Sequence, residues 1–95
     1  MRTFTIRLSR NGRQAGTVTF DETGGSIVSD LDDISCDGTI TGVRGFGYDT
    51  DTTDISLRHF LRNPQQAVGM HPHITDTHFG DSALLATVGS VDEQE

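Results

Sequence analysis

Three histidines fall within one short stretch, His71, His73 and His78, and two carboxylates, Asp76 and Asp81, stand among and just beyond them. Neutral imidazole and carboxylate are the ligands that zinc and other divalent transition metals take. Pro72 keeps the chain extended around His71, and on an extended chain residues two apart project to the same side. The set His71, His73, His78 and Asp76 therefore has the chemistry of a divalent-metal site. The competing reading is a solvated polar loop, because the spacing is neither His-Glu-x-x-His nor that of a metallo-β-lactamase or cupin.

A second group is Asp49-x-Asp51-x-x-Asp54, directly after Phe46 and Tyr48. Three carboxylates in this arrangement suggest calcium, but an EF-hand loop wants glycine at its sixth position and glutamate at its twelfth, and Asp54 and Phe60 stand there instead. A solvated loop leading into a helix cap is the better reading of the acids. Phe46 and Tyr48 are the aromatics of that loop, and aromatics flanked by charge are typical anchors of protein interfaces. Phe46, Tyr48, Asp49, Asp51 and Asp54 are accordingly the candidate binding residues.

Other signals are weaker. Gly42-x-x-Gly45-x-Gly47 beside Arg44 is not a phosphate-binding pattern, and glycines that bend a strand end explain it better. Gly80-Asp81-Ser82 is a tripeptide too short to identify a serine hydrolase. Cys36 is the sole cysteine, so no internal disulfide forms, and nothing beside it in sequence activates the thiol. No catalytic set emerges, which favours binding over catalysis.

Charge bounds the partners. The chain of 95 residues carries a net charge of −7, with 14 carboxylates against 7 basic residues. A polyanion binder needs the opposite balance, so direct nucleic-acid binding is not expected. The charge is segregated: Arg2, Arg7, Arg10 and Arg13 sit in the first twenty residues without an acid, and the acids begin at Asp21. Such a molecule steers towards a basic surface on a protein partner. The function expected is a small acidic protein-interaction module, an inhibitor or accessory factor of the viral or mobile-element type, with divalent-metal binding as the alternative. A homodimer through exposed strand edges is a third reading. The opening MRTFTIRLSR has no secretory apolar block, and no stretch approaches the ~18 apolar residues of a membrane span, so a cytoplasmic location without membrane contact is expected.

The elements that must position these residues begin with period-two alternation. Phe4, Ile6 and Leu8, then Val18 and Phe20, then Ile27 and Leu31 each mark one face of a strand. Asn11-Gly12, Gly24-Gly25 and Asp37-Gly38 punctuate them as turns. A two-residue loop at Asn11-Gly12 would turn Val18 and Phe20 outward, so parity favours a three-residue loop, Arg10-Asn11-Gly12, with Phe4 opposite Val18. A short turn at Thr23-Gly24 places Phe20 opposite Ile27. A loop at Cys36-Asp37-Gly38 sets Ile34 against Ile40 and Leu31 against Val43. After Gly42 the pattern gives way to a loop. Thr53 or Asp54 then caps a helix reaching Asn63, with Leu57, Phe60 and Leu61 as its apolar stripe. Asn63-Pro64 starts a further short turn that stops at Gly69. The expected fold is α+β: a four-stranded antiparallel β-meander, one covering α-helix and a short C-terminal strand or helix, as one domain over residues 1–89 with a disordered acidic tail at 90–95.

Overall fold

A computed structural model describes residues 2–31, 40–48, 52–76 and 80–94, with backbone alone at 76 and 80–82. The described residues are mostly antiparallel sheet with one α-helix and one 3-10 turn. The strands are β1 (Thr3–Arg10), β2 (Arg13–Asp21), β3 (Val28–Leu31), β4 (Ile40–Gly47), β5 (Ile55–Ser56), β6 (His71–Asp76), β7 (Gly80–Ala83) and β8 (Thr87–Gln94). They form two four-stranded sheets, ordered β3-β2-β1-β8 and β5-β4-β6-β7.

The first sheet starts from the alternation of β1 and β2, whose Phe4, Ile6, Leu8, Val18 and Phe20 are all buried. Its hairpin differs from the expected one. Asn11 and Gly12 have φ of 53° and 77°, the two positive values that a two-residue type I′ turn requires. Arg10 therefore faces Arg13 and Ser9 faces Gln14, but Leu8 faces Gly16, Ile6 faces Val18 and Phe4 faces Phe20. Ala15 is the extra residue of a β-bulge, and its insertion restores the parity that the tight turn alone would break. The rejected two-residue turn is thus the real one, and the expected Phe4–Val18 pair does not form. Gly16, at φ 147°, is required there because a Cβ would stand 2.0 Å from the carbonyl oxygen of Asp30.

The β2–β3 register has Thr19 opposite Val28 and Val18 opposite Ser29, in line with a turn centred on Thr23-Gly24. The Asp21 carboxylate closes that turn by accepting from the Thr23 amide at 2.9 Å and from the Thr23 hydroxyl. The Thr23 hydroxyl bond is the main reason the Asp21 carboxyl titrates below its ordinary value.

The meander ends at β3. Leu31 faces Gly16 and Val43 faces Ile74, so the expected Leu31–Val43 pairing is absent and β4 opens the second sheet instead. The reason is burial. β3 is largely exposed and offers β4 no apolar face, whereas β4 is covered over most of its second half. The Cys36-Asp37-Gly38 loop and Ile34 lie outside the described residues.

The expected loop after Gly42 is strand, because β4 continues to Gly47 and pairs with β5 and β6. Its glycines mark places where other backbone crosses it. A Cβ on Gly42 would meet the Gly24 carbonyl oxygen at 2.7 Å, one on Gly45 the Ile55 oxygen at 2.2 Å, and one on Gly47 the Thr52 oxygen at 1.9 Å.

The helix α1 (Leu57–Arg62) is shorter than expected. Ile55 pairs with Phe46 as strand, so Ser56 rather than Thr53 or Asp54 is the N-cap, its hydroxyl accepting from the His59 amide at 3.2 Å. Asn63 closes the helix, and Pro64 opens the 3-10 turn Pro64–Ala67. Phe60 inserts its ring among Phe4 (4.9 Å), Phe20 (5.7 Å) and Phe46 (4.7 Å), and so joins the cores of both sheets.

The C-terminal third holds three strands where one short element was expected. β8 pairs with β1 as far as Gln94 opposite Thr3, so residues 90–94 complete the first sheet rather than form a disordered tail. Glu93 accepts from Arg2 at 2.6 Å, which holds its carboxyl below the ordinary range. The sheets meet at two corners, through the Val43 amide on the Gly24 oxygen and through a pair of bonds linking Gly69 and Met70 with Val88.

Candidate functional site

β6 carries the histidines. Its alternation sends Pro72 and Ile74 into the core and leaves His71 and His73 on the other face, neighbours along one strand as extended backbone dictates. The two then differ. His71 is part-buried, and its Nδ1 lies 3.2 Å from the carbonyl oxygen of Leu84. A carbonyl can only accept, so Nδ1 bears the hydrogen of that contact. His73 is only 6% exposed, and its Nε2 is buried without a hydrogen-bond partner. It sits where a Cβ on Gly47 would come within 3.0 Å of it. The glycine of β4 makes the room that the imidazole fills.

Asp76 ends the same strand, its backbone paired with Ile40 and Gly80. His78 lies outside the described residues, as do Asp49 and Asp51. The backbone of Asp81 pairs with Thr75 in β7. Among the described residues no three histidines, cysteines or carboxylates gather within reach of one metal ion. The structure thus brings together His71 and His73 of the metal set and supplies no third ligand from the described chain.

The candidate binding residues separate. Phe46 is fully buried against Phe60, so it belongs to the core and is closed to any partner. Tyr48, two residues on, is 63% exposed. Tyr48 is linked to Asp54 through backbone: the Asp54 amide donates to the Phe46 oxygen at 2.9 Å, and the Tyr48 amide donates to the Asp54 carboxylate at 3.2 Å. Asp54 is exposed, and one of its carboxylate oxygens accepts the Tyr48 amide.

His71 also borders a cavity of about 390 Å³ whose other walls come from the β1–β2 hairpin tip and the segment joining β7 to β8. Arg10, Asn11 and Thr87 line it, and none of them is among the binding residues the sequence suggests. The signal available for Arg10 was the clustering of the first four arginines away from the acids. No helix among the described residues is long and apolar enough to cross a membrane. Compared with protein-family models, with curated proteins and with solved structures, the chain matches none of them.

Proposed function

We propose that the chain is a protein-interaction module that docks on a basic partner surface through Tyr48 and the carboxylates beside it, as an inhibitor or accessory factor does. The observation that carries this reading is an exposed tyrosine whose backbone amide is held by the Asp54 carboxylate. A tyrosine offers a large contact area for few rotamers, and holding it before contact reduces the ordering cost of association. The surrounding acids supply the long-range attraction that orients a cationic partner. Affinity capture of a partner with the full chain, repeated with Tyr48→Ala and at rising salt, tests the reading. Loss of Tyr48 is expected to weaken the complex about thirtyfold, as removing a central aromatic anchor does. Association is expected to slow as salt screens the acids. A complex indifferent to both changes overturns the proposal.

One observation favours divalent-metal binding as the second reading. His71 has its Nδ1 hydrogen held by a backbone carbonyl, the arrangement that orients ligating histidines. His73 beside it has a buried, unpartnered Nε2. Stoichiometric zinc in protein purified without a histidine tag, lost in His73→Gln, is the expected result; metal-free protein that shows no thermal shift with Zn²⁺, Ni²⁺ or Mn²⁺ disposes of it.

A further inference from the structure

We infer that Asn11, at the tip of the β1–β2 hairpin, is a self-modification site: its side-chain amide is lost by cyclisation onto the Gly12 nitrogen and a carboxylate takes its place. The site is independent of Tyr48 and of any metal.

The sequence supplies the reactants. The chain has two asparagines, Asn11 and Asn63. Asn11 is followed by Gly12, whose nitrogen carries a hydrogen and whose missing Cβ leaves the approach to the Asn11 carboxamide uncrowded. Asn63 is followed by Pro64, whose nitrogen has no hydrogen to lose and cannot become a nucleophile. One asparagine is armed and the other is blocked.

The fold leaves the armed one free to react. Gly12 lies in the turn outside the ladder, and its amide donates no backbone hydrogen bond among the described residues. Nothing lies within 4 Å of a Cβ placed there, so no neighbour covers the turn. Ala15 is buried, but every residue from Arg10 to Gln14 is exposed. Beyond the bulge the tip is held by the pairs Ser9–Gln14 and Arg10–Arg13, with no buried apolar side chain, so it opens locally while the core pairs from Leu8–Gly16 inward stay closed. Asn11 is the one non-glycine residue with a positive φ among the described residues, at 53°, and opening releases it from that disfavoured conformation.

In the opened tip hydroxide removes the Gly12 N–H proton, and the nitrogen attacks Asn11 Cγ. The Cγ–Nδ2 bond breaks, Nδ2 takes a proton and leaves as ammonia, and a five-membered succinimide remains. Water then opens the ring at either carbonyl. Addition at Cγ gives aspartate with the main chain intact. Addition at the Asn11 main-chain carbonyl breaks its bond to Gly12 and gives isoaspartate, the chain now running through Cγ. Nothing is oxidised or reduced. Either product puts a carboxylate on the wall of the cavity beside His71 and makes the chain one unit more negative than −7. Isoaspartate also lengthens the main chain by one carbon, which the two-residue turn cannot accommodate.

The test incubates the full chain in native buffer and in about 6 M guanidinium chloride at one pH and temperature. Intact mass and the peptide from Ser9 to Phe20 are followed, with isoaspartate assayed by enzymatic methyl transfer to its carboxyl. That peptide is expected to gain about 1 Da in both conditions, with isoaspartate among the products, while the peptide holding Asn63 gains none. The native rate is expected within about a hundredfold of the denatured rate, because a fraying tip opens far more often than the sheet unfolds. Reaction through global unfolding would be slower by about a thousandfold or more. Asn11→Gln, which would have to close a six-membered ring, should cut the gain at least about tenfold. A native rate more than about a hundredfold below the denatured one overturns the inference. Gain at Asn63 equal to that at Asn11, aspartate without isoaspartate, or an undiminished gain in Asn11→Gln also overturns it.

Discussion

The β1–β2 hairpin and the β4–β6 pair are both antiparallel, both interrupted by extra residues, and both centred on buried rings or branched side chains. They differ in what covers their second face. On β1 and β2 one face holds Phe4, Ile6, Val18 and Phe20, and the other is a polar surface on which Thr5 and Thr19 share a hydrogen bond at 3.2 Å. On β4 the second face is covered by backbone, at Gly24, Thr52 and Ile55. Alternation records a strand with one dry face and one wet face. A strand crossed closely by other chain needs glycine where the crossing occurs, and its alternation disappears.

That difference can be broken with the two kinds of glycine. The largest effect is expected at Gly47, where a Cβ would sit 1.9 Å from the Thr52 carbonyl oxygen and 3.0 Å from the buried His73 nitrogen. The Thr52 oxygen cannot give way without moving backbone, so Gly47→Ala should destabilise the protein by about 3 kcal/mol or more. Urea denaturation measures this, and a loss under about 1 kcal/mol would show that the crossing is loose. A smaller loss is expected at Gly12. Nothing lies within 4 Å of a Cβ there, and only the positive φ of 77° opposes a side chain, so Gly12→Ala should cost about 1 kcal/mol. Equal losses at the two positions would remove the distinction between a turn glycine and a crossing glycine.

The same contrast sets how much the sequence discloses. The apolar residues of β1 and β2, the centre of the β2–β3 turn and the pause at Asn63-Pro64 are local, encoded within a few neighbouring residues. The hairpin turn departs from the sequence expectation for a definite reason: parity counts turn length alone, while Ala15 bulges and shifts the register by one residue. The departure of β4 from the meander is not local at all, because Val43 finds Ile74 far along the chain and nothing near Val43 announces it.

For the site, the His71–His73 geometry is legible since alternation alone places both on one face. The separation of Phe46 from Tyr48 is not, because it depends on a helix bringing Phe60 across the molecule. The cavity beside His71 is likewise built from three segments distant in sequence.

The smallest effect concerns how the first sheet is closed at β8, the strand that sequence placed in a tail. Glu93 accepts from Arg2 at 2.6 Å, and Arg2 in turn lies 5.1 Å from the centre of the Phe4 ring, so one guanidinium ties β8 to β1. The hydrogen bond from Arg2 holds the Glu93 carboxyl below its ordinary 4.5. A carboxyl whose value is lowered on folding stabilises fully above its unfolded value, and the gain is lost as pH falls through the folded one. The Arg2–Glu93 contribution should therefore be complete at neutral pH and fade below about pH 4.5. Because the pair is at the surface, the effect is small and screened by salt. Glu93→Gln should lower the urea midpoint slightly near pH 7, and the difference should shrink towards zero as falling pH protonates Glu93 in the folded parent. A deficit that persists at the lower pH would mean that Glu93 acts through the packing of β8 rather than through its charge, and β8 would then join β4 as a strand held by contacts that alternation does not record.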